Sequence, residues 1–216
     1  YAENYDLFKH FLLRVSIIIG FIVLHSIFLR QAADKRHIRE MSNAFVKLAY
    51  NDIMTGTLSK EALKTYCAFV TEKQDPERVS AIIYDIDDFK SYNDHYSHMK
   101  GDQVLLRVSE SVLRVLAQSD QYLFRFGGEE FAVVLPNATE DEARRVACHL
   151  LEAVRAAAIP RTDLPDRRIV TASFGVACGT KDELRDLSLA VKADEQLYLC
   201  KRGGKNCVAA GGALYH

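Results

Sequence analysis

The 216-residue sequence lacks an excess charge of either sign, with 28 lysines and arginines against 29 aspartates and glutamates, net −1. A domain that coats nucleic acid carries a clear basic excess, so that class is excluded. Its five cysteines (Cys67, Cys148, Cys178, Cys200, Cys207) form no C-x-x-C pair. Neither a zinc knuckle nor a disulfide framework is supported, which leaves reduced thiols, mostly buried as small apolar side chains. No G-x-x-x-x-G-K-[ST] loop occurs, which excludes a P-loop enzyme, and the absence of G-x-G-x-x-G argues against a Rossmann dinucleotide site. No internal repeat or low-complexity run follows residue 50. With 49% hydrophobic and 26% charged residues the chain is globular rather than disordered.

What is present is unevenly placed. One domain of about 150 residues would leave roughly 60 over, and much of the apolar weight sits before residue 30. From Phe11 to Leu29, 14 of 19 residues are Phe, Leu, Ile or Val. As a helix this run would reach roughly 28 Å, near the hydrocarbon thickness of a bilayer. Arg30, Lys35, Arg36 and Arg39 follow, a flank that the positive-inside rule places in the cytosol. No small-residue cleavage site follows, so a signal peptide is excluded. The expectation is a transmembrane helix over residues 1–30, with a buried or partner-packed helix as the alternative. An opening on Tyr1 rather than Met suggests a piece of something longer. Over residues 31–51, Ile38, Met41, Phe45 and Leu48 follow 3-4-3 spacing, as in a short coiled-coil stalk or an amphipathic helix.

Downstream, Arg78–Asp85 reads as a buried strand. Lys100–Leu116 and Thr139–Ala157 have helical spacing. Tyr122–Phe126 and Glu130–Leu135 read as strands joined across Gly127-Gly128. Ile169–Val176 is a further strand and Glu183–Lys201 a further helix. This order predicts an α/β or α+β domain.

Asp85-Ile86-Asp87-Asp88 closes the first strand, and Glu129-Glu130 follows the two glycines of the hairpin. Carboxylates gathered at strand ends suit a divalent cation, although a solvated acidic turn would read the same way. Lys90, with Lys201 and Lys205 in the glycine-rich stretch CKRGGKN, supplies separated cations. A metal-binding acidic pair with such lysines is what a nucleoside triphosphate needs.

Arg125-Phe126-Gly127-Gly128-Glu129-Glu130-Phe131 resembles the signature of the GGDEF family of diguanylate cyclases, in its GGEEF form. Asp85-Ile86-Asp87-Asp88-Phe89-Lys90 with Asn93-Asp94, His98 and Gly101-Asp102 resembles a second family stretch. So do Asp52 to Gly56, Thr171 to Val176, and Ala193-Asp194 through Tyr198, Lys201 and Gly204-Lys205-Asn206. Together they cover residues 52 to about 208, leaving 209–216 as a tail.

The resemblance implies a nucleotidyl-cyclase palm-like domain: a central, mostly antiparallel sheet flanked by helices, here preceded by a long N-terminal helix. It implies condensation of two GTP into cyclic di-GMP and two pyrophosphates across a homodimer, with two Mg²⁺ (or Mn²⁺) per half-site and no nucleic-acid partner. Anchoring by the N-terminal segment would put the catalytic domain on the cytoplasmic face of the inner membrane. By position, Asp85, the Ile86 carbonyl and Glu129 match metal ligands. Glu129 and Glu130 match the catalytic acids, Asn93, Asp102 and His98 the guanine contacts, and Lys90, Lys201 and Lys205 the phosphate contacts. Lys205 stands where the family usually has Arg. Gln118 and Gln121 replace the Arg and Asp of the product-inhibition motif, so feedback through that site should be absent. The resemblance leaves open a catalytically silent module that binds GTP or a partner, and a cyclase making a mixed guanine–adenine product, against which Asp102 argues.

Overall fold

The computed structural model describes Arg30 and residues 50–216 other than residue 75 and residues 118–120. The segments expected to be a membrane helix and stalk, and Gln118, therefore lie outside the described residues. Among the described residues no helix is long and apolar enough to cross a membrane.

Helix α1 (Lys60–Phe69) starts where the Ser59 hydroxyl caps the Ala62 N–H and runs on into a wider turn, Val70–Gln74. Strand β1 (Val79–Ile86) is followed by α2 (Phe89–Tyr96), α3 (His98–Leu116), β2 (Phe124–Gly127) and β3 (Glu130–Pro136). Then come α4 (Glu140–Ala156), β4 (Ala172–Gly179), α5 (Lys181–Arg185), α6 (Ser188–Arg202), β5 (Val208–Ala210) and β6 (Ala213–Tyr215). The sheet order is β2-β3-β1-β4-β5-β6, antiparallel throughout except between β4 and β5. The expected α+β domain with a mostly antiparallel sheet is what forms.

Strand β1 is central and buried on both faces, hence its near-continuous apolar sequence. Ile82, Tyr84 and Ile86 pack with Val104, Leu105, Val108 and Val112 of α3 and Ala147, Leu150 and Leu151 of α4. The alternate residues Val79 and Ala81 pack with Leu189 and Ala193 of α6, with Leu63 and Tyr66 of α1 beside them. A reciprocal capping box, Thr139 with Glu142, fixes the start of α4 where the sequence places it.

Three expectations are corrected. The helix expected over Glu183–Lys201 is two helices, because Leu187 adopts a left-handed backbone (φ 68°) and the Asp186 carboxylate accepts the Ser188 N–H at 2.9 Å. The strand expected at Ile169–Val176 lies at Ala172–Gly179, because its register is set by β1, with Ile86 opposite Ala172 and Val79 opposite Gly179. Residues 159–161 instead pair with 168–170, through Val170 N–H to the Ile159 carbonyl (2.8 Å) and Arg161 N–H to the Arg168 carbonyl (3.0 Å). Residues 209–216 are not a tail: Gly211-Gly212, both at positive φ, turn β5 into β6 at the sheet edge.

Tyr84 is stacked between Phe131 (4.9 Å) and Phe174 (4.8 Å), fully buried, and its hydroxyl has no hydrogen-bond partner among the described residues. An orphaned buried hydroxyl costs about 1–3 kcal/mol. Tyr84→Phe is therefore expected to keep or raise the thermal midpoint in calorimetry. A loss above about 1 kcal/mol would show that the hydroxyl is partnered in solution.

Candidate functional site

The end of β1 and the β2–β3 turn place three carboxylates together. Asp85 lies directly opposite Glu130 in the β1–β3 register, and the Ile86 N–H reaches the Glu129 carbonyl at 3.4 Å. Like charges in directly opposed positions repel. The Asp85 carboxyl is raised to about 6, mainly by burial; the Lys201 ammonium, 2.8 Å from Asp85 Oδ2, opposes the rise, while Glu129 and Glu130 add to it. The sheet thus holds an acid that is hard to ionise without a cation, with a lysine already against it.

Asp87, two residues on, does something different. It accepts from the Thr171 and Ser173 hydroxyls (both 2.7 Å) and the Asn206 N–H (3.0 Å), with no side-chain exposure. Its oxygens are spent on tying β1 to β4 and to the glycine-rich turn. Asp88, in the left-handed region (φ 54°), receives Lys205 and, at 3.0 Å, Arg167.

A buried pair braces this loop. Arg161 donates to the carbonyls of Asp87 (2.8 Å) and Asp88 (3.2 Å) and grips Asp163 through Nε (2.9 Å) and a terminal nitrogen (2.5 Å). Asp163 also accepts the Ser91 hydroxyl of α2 at 2.9 Å. The Arg161 hydrogen bonds, with those from Ser91, hold Asp163 below the ordinary carboxylate range despite its burial. The opposite side is fixed by Arg125, which donates to the Gly128 carbonyl (2.7 and 3.0 Å) and to Asp52 (3.1 Å). Partial burial pulls Asp52 upward, but hydrogen bonds from Thr55 and the Arg125 charge leave it lowered overall. Gly128, at φ +50°, makes the turn that presents Glu129.

The remaining expected residues lie along α2 and α3. Lys90 is exposed in the first turn of α2. Asn93 follows on the same helix and abuts Gly101, where an added Cβ would stand 1.8 Å from Asn93 Oδ1. That oxygen is buried and has no hydrogen-bond partner among the described residues. His98 and Asp102 are both exposed, four residues apart on one face of α3. Asp85, Ile86, Glu129, Glu130 and Lys201 therefore converge, Lys205 joins through Asp88, and the α2–α3 corner gathers Asn93, Gly101 and Asp102 separately.

Sequence reasoning missed Arg161, Asp163, Arg167 and the Asp52–Arg125 link. The arginine immediately before Phe126-Gly127-Gly128 was a visible signal for the last; the others depend on a contact across more than 70 residues.

Among the described residues no group of three His, Cys, Asp or Glu side chains could hold a metal by itself. The chemistry of Asp85 and Glu129 nevertheless suits a hard cation that completes its shell with phosphate oxygens, since a cation would favour ionisation of the buried Asp85 carboxyl.

This mixed sheet, with acids at the end of its central antiparallel strands and lysines at the end of α6 and on the glycine-rich turn that follows, defines a palm-like α+β domain. The chain belongs to the GGDEF family: the model of the diguanylate cyclase GGDEF domain matches residues 49–207. Among its relatives, diguanylate cyclase DosC of Escherichia coli (strain K12) is 34% identical over 163 residues, 73% of this chain and 34% of that protein. The uncharacterized protein YhcK of Bacillus subtilis (strain 168) is 36% identical over 163 residues, 74% of this chain and 45% of that protein. The crystal structure of the coiled coil and GGDEF domain of DgcB from Caulobacter crescentus, in complex with c-di-GMP, matches with TM-score 0.65 at 26% identity. It covers 86% of this chain and 98% of that one. The chain spans less than half the length of these two curated relatives.

Two outcomes follow from this geometry. Because the folded-state pKa of Asp85 lies above its ordinary 3.8, ionised Asp85 opposes folding as pH rises from 3.8, and does so fully above about 6. Asp85→Asn should thus raise the metal-free melting midpoint at about pH 8 more than at about pH 4, and an equal shift at both would refute the assignment. Removing one partner of the Arg161–Asp163 pair strands a buried charge, so Arg161→Met should cost about 3 kcal/mol in denaturant unfolding. The double variant with Asp163→Leu should recover part of that loss; a double variant no better than the single would contradict the pairing.

Proposed function

We propose that this chain is a diguanylate cyclase that condenses two GTP into cyclic di-GMP and two pyrophosphates. The observation that carries the reading is the cluster of Asp85, Glu129 and Glu130 at the end of β1 and the β2–β3 turn, faced by Lys201. Its membership of the family and the named activity of DosC support it.

Asp85 and Glu129, with the Ile86 carbonyl, would hold Mg²⁺ or Mn²⁺, two per half-site. When bound, such ions lower the pKa of a ribose hydroxyl and stabilise charge on phosphorus and on departing pyrophosphate. Glu129, on a turn held by Arg125, accepts the 3′-hydroxyl proton in this reading, and Glu130 supports the acidic site from β3. Lys90, Lys201 and Lys205 neutralise phosphate oxygens; the last two exchange Asp85 and Asp88 for the substrate. Asn93 and Asp102 read guanine, since a carboxylate accepts from N1–H and the exocyclic amine while an amide both donates and accepts. The unpartnered Asn93 oxygen supports that role. His98 lies beside them on α3.

Each 3′-hydroxyl attacks the α-phosphate of the GTP on the other subunit, so a homodimer is required, and holding the two nucleotides face to face supplies much of the acceleration. Residues 1–30 would anchor the protein in the inner membrane and residues 31–51 would bring two cytoplasmic domains together as a stalk. With Gln118 and Gln121 in place of the Arg–Asp clamp, product does not inhibit through the primary site.

The test is incubation of the dimeric protein with GTP and Mg²⁺ and chromatography of the products. Cyclic di-GMP is expected, and its formation should fall at least about 100-fold in Glu129→Gln. No product from a dimeric sample, or full turnover by the variant, would refute the reading. Excess cyclic di-GMP should leave the rate unchanged, and strong non-competitive inhibition would overturn the assignment of Gln118 and Gln121.

A further inference from the structure

Two cysteines that the proposed chemistry does not use bracket the stretch that carries two of its lysines. Cys200 lies near the end of α6 and Cys207 immediately before β5, and between them run Lys201 and Lys205. Both thiols are fully buried and free, and their sulfurs are 2.7 Å apart. A disulfide needs about 2.05 Å, so closure asks for less than 1 Å of movement. Both cysteines are anchored to the same residue of β4: Cys200 Sγ approaches the Phe174 carbonyl at 3.4 Å, and the Phe174 N–H donates to the Cys207 carbonyl at 2.9 Å. The turn between them is itself hung on Cys200, whose carbonyl accepts the N–H groups of Gly203 (3.1 Å) and Lys205 (2.9 Å). Cys67, Cys148 and Cys178 are each partly exposed and have no such cysteine partner.

We propose that Cys200 and Cys207 are a redox-modification site whose disulfide closes the loop carrying Lys201 and Lys205 and weakens its grip on nucleotide phosphates. The oxidant is a low-molecular-weight disulfide or a hydroperoxide. With oxidised glutathione, two S–H bonds break and one S–S bond forms. The two protons and two electrons reduce the reagent to two thiols. Burial raises both thiols above the ordinary cysteine range, which keeps the thiolate scarce and the reaction slow. Once formed, the bond fixes the loop ends in the arrangement seen here, where Lys201 sits on Asp85 and Lys205 on Asp88. The effect on binding rests on the cyclase reading, while the disulfide itself does not.

The experiment treats the native protein with oxidised glutathione, then counts thiols, maps the linked peptide by mass, and records melting midpoint and GTP affinity. Loss of the Cys200 and Cys207 thiols in one peptide, with a midpoint raised by several degrees and GTP binding about tenfold weaker, is expected, all reversed by dithiothreitol. Retention of both thiols until the protein unfolds overturns the proposal, as does unchanged GTP affinity in the linked protein. The peptide map on unmutated protein decides the matter even if Cys207→Ser fails to fold. Reduced protein that binds no GTP would instead refute the cyclase reading, and the mass and midpoint readouts still decide the disulfide.

Discussion

The burial of Asp85 at the end of β1, opposite Glu130, is the constraint on which the rest of the site depends. Strand pairing sets Asp85 opposite Glu130, and burial makes the Asp85 charge expensive. A fold that only sought stability would place an apolar or hydroxyl residue there. Instead the surrounding structure holds the acids in place, with Lys201 against one of them. Under the proposed reading, a nucleotide with its divalent cation would bring positive charge to this site together with phosphates for the lysines to take.

Three sets of hydrogen bonds fix the segments around the cluster. Asp87 spends its carboxylate on β4 and the glycine-rich turn, so the chain cannot slide at the end of β1. Arg161 grips the next two carbonyls from within the protein, and Arg125 holds the β2–β3 turn through the Gly128 carbonyl. Each of these cations also pairs with a carboxylate outside the cluster, Arg161 with Asp163 and Arg125 with Asp52. Their work is positional: they fix the backbone on either side of the acids. The aromatic stack of Tyr84 between Phe131 and Phe174, directly behind Asp85 on three adjacent strands, supplies the rigid backing.

Local patterns made much of this legible. The β-branched run before Asp85, the helical spacing from Thr139 and the paired glycines at 127–128 each encode an element within a few residues, and each formed where expected. The break at Asp186-Leu187 was hidden because helical spacing continues through it; only the left-handed Leu187 and the side-chain cap reveal it. The final hairpin was passed over because β5 and β6 are three residues each, too short for a periodic signal, although Gly211-Gly212 marked the turn. In the site, the acids and lysines could be found because they sit in contiguous motifs. Arg161 and Asp163 could not, because their meaning depends on a contact with Asp87 and Asp88 more than 70 residues earlier in the chain.

The central claim is that the acid cluster is relieved by metal and phosphate jointly. The direct measurement is the melting midpoint of the protein with Mg²⁺ alone, with 3′-deoxy-GTP alone, and with both, the missing hydroxyl preventing turnover. The account predicts a clear rise with both together and little with either alone. An equal rise with the nucleotide in the presence of a chelator, or no rise with both, would contradict it.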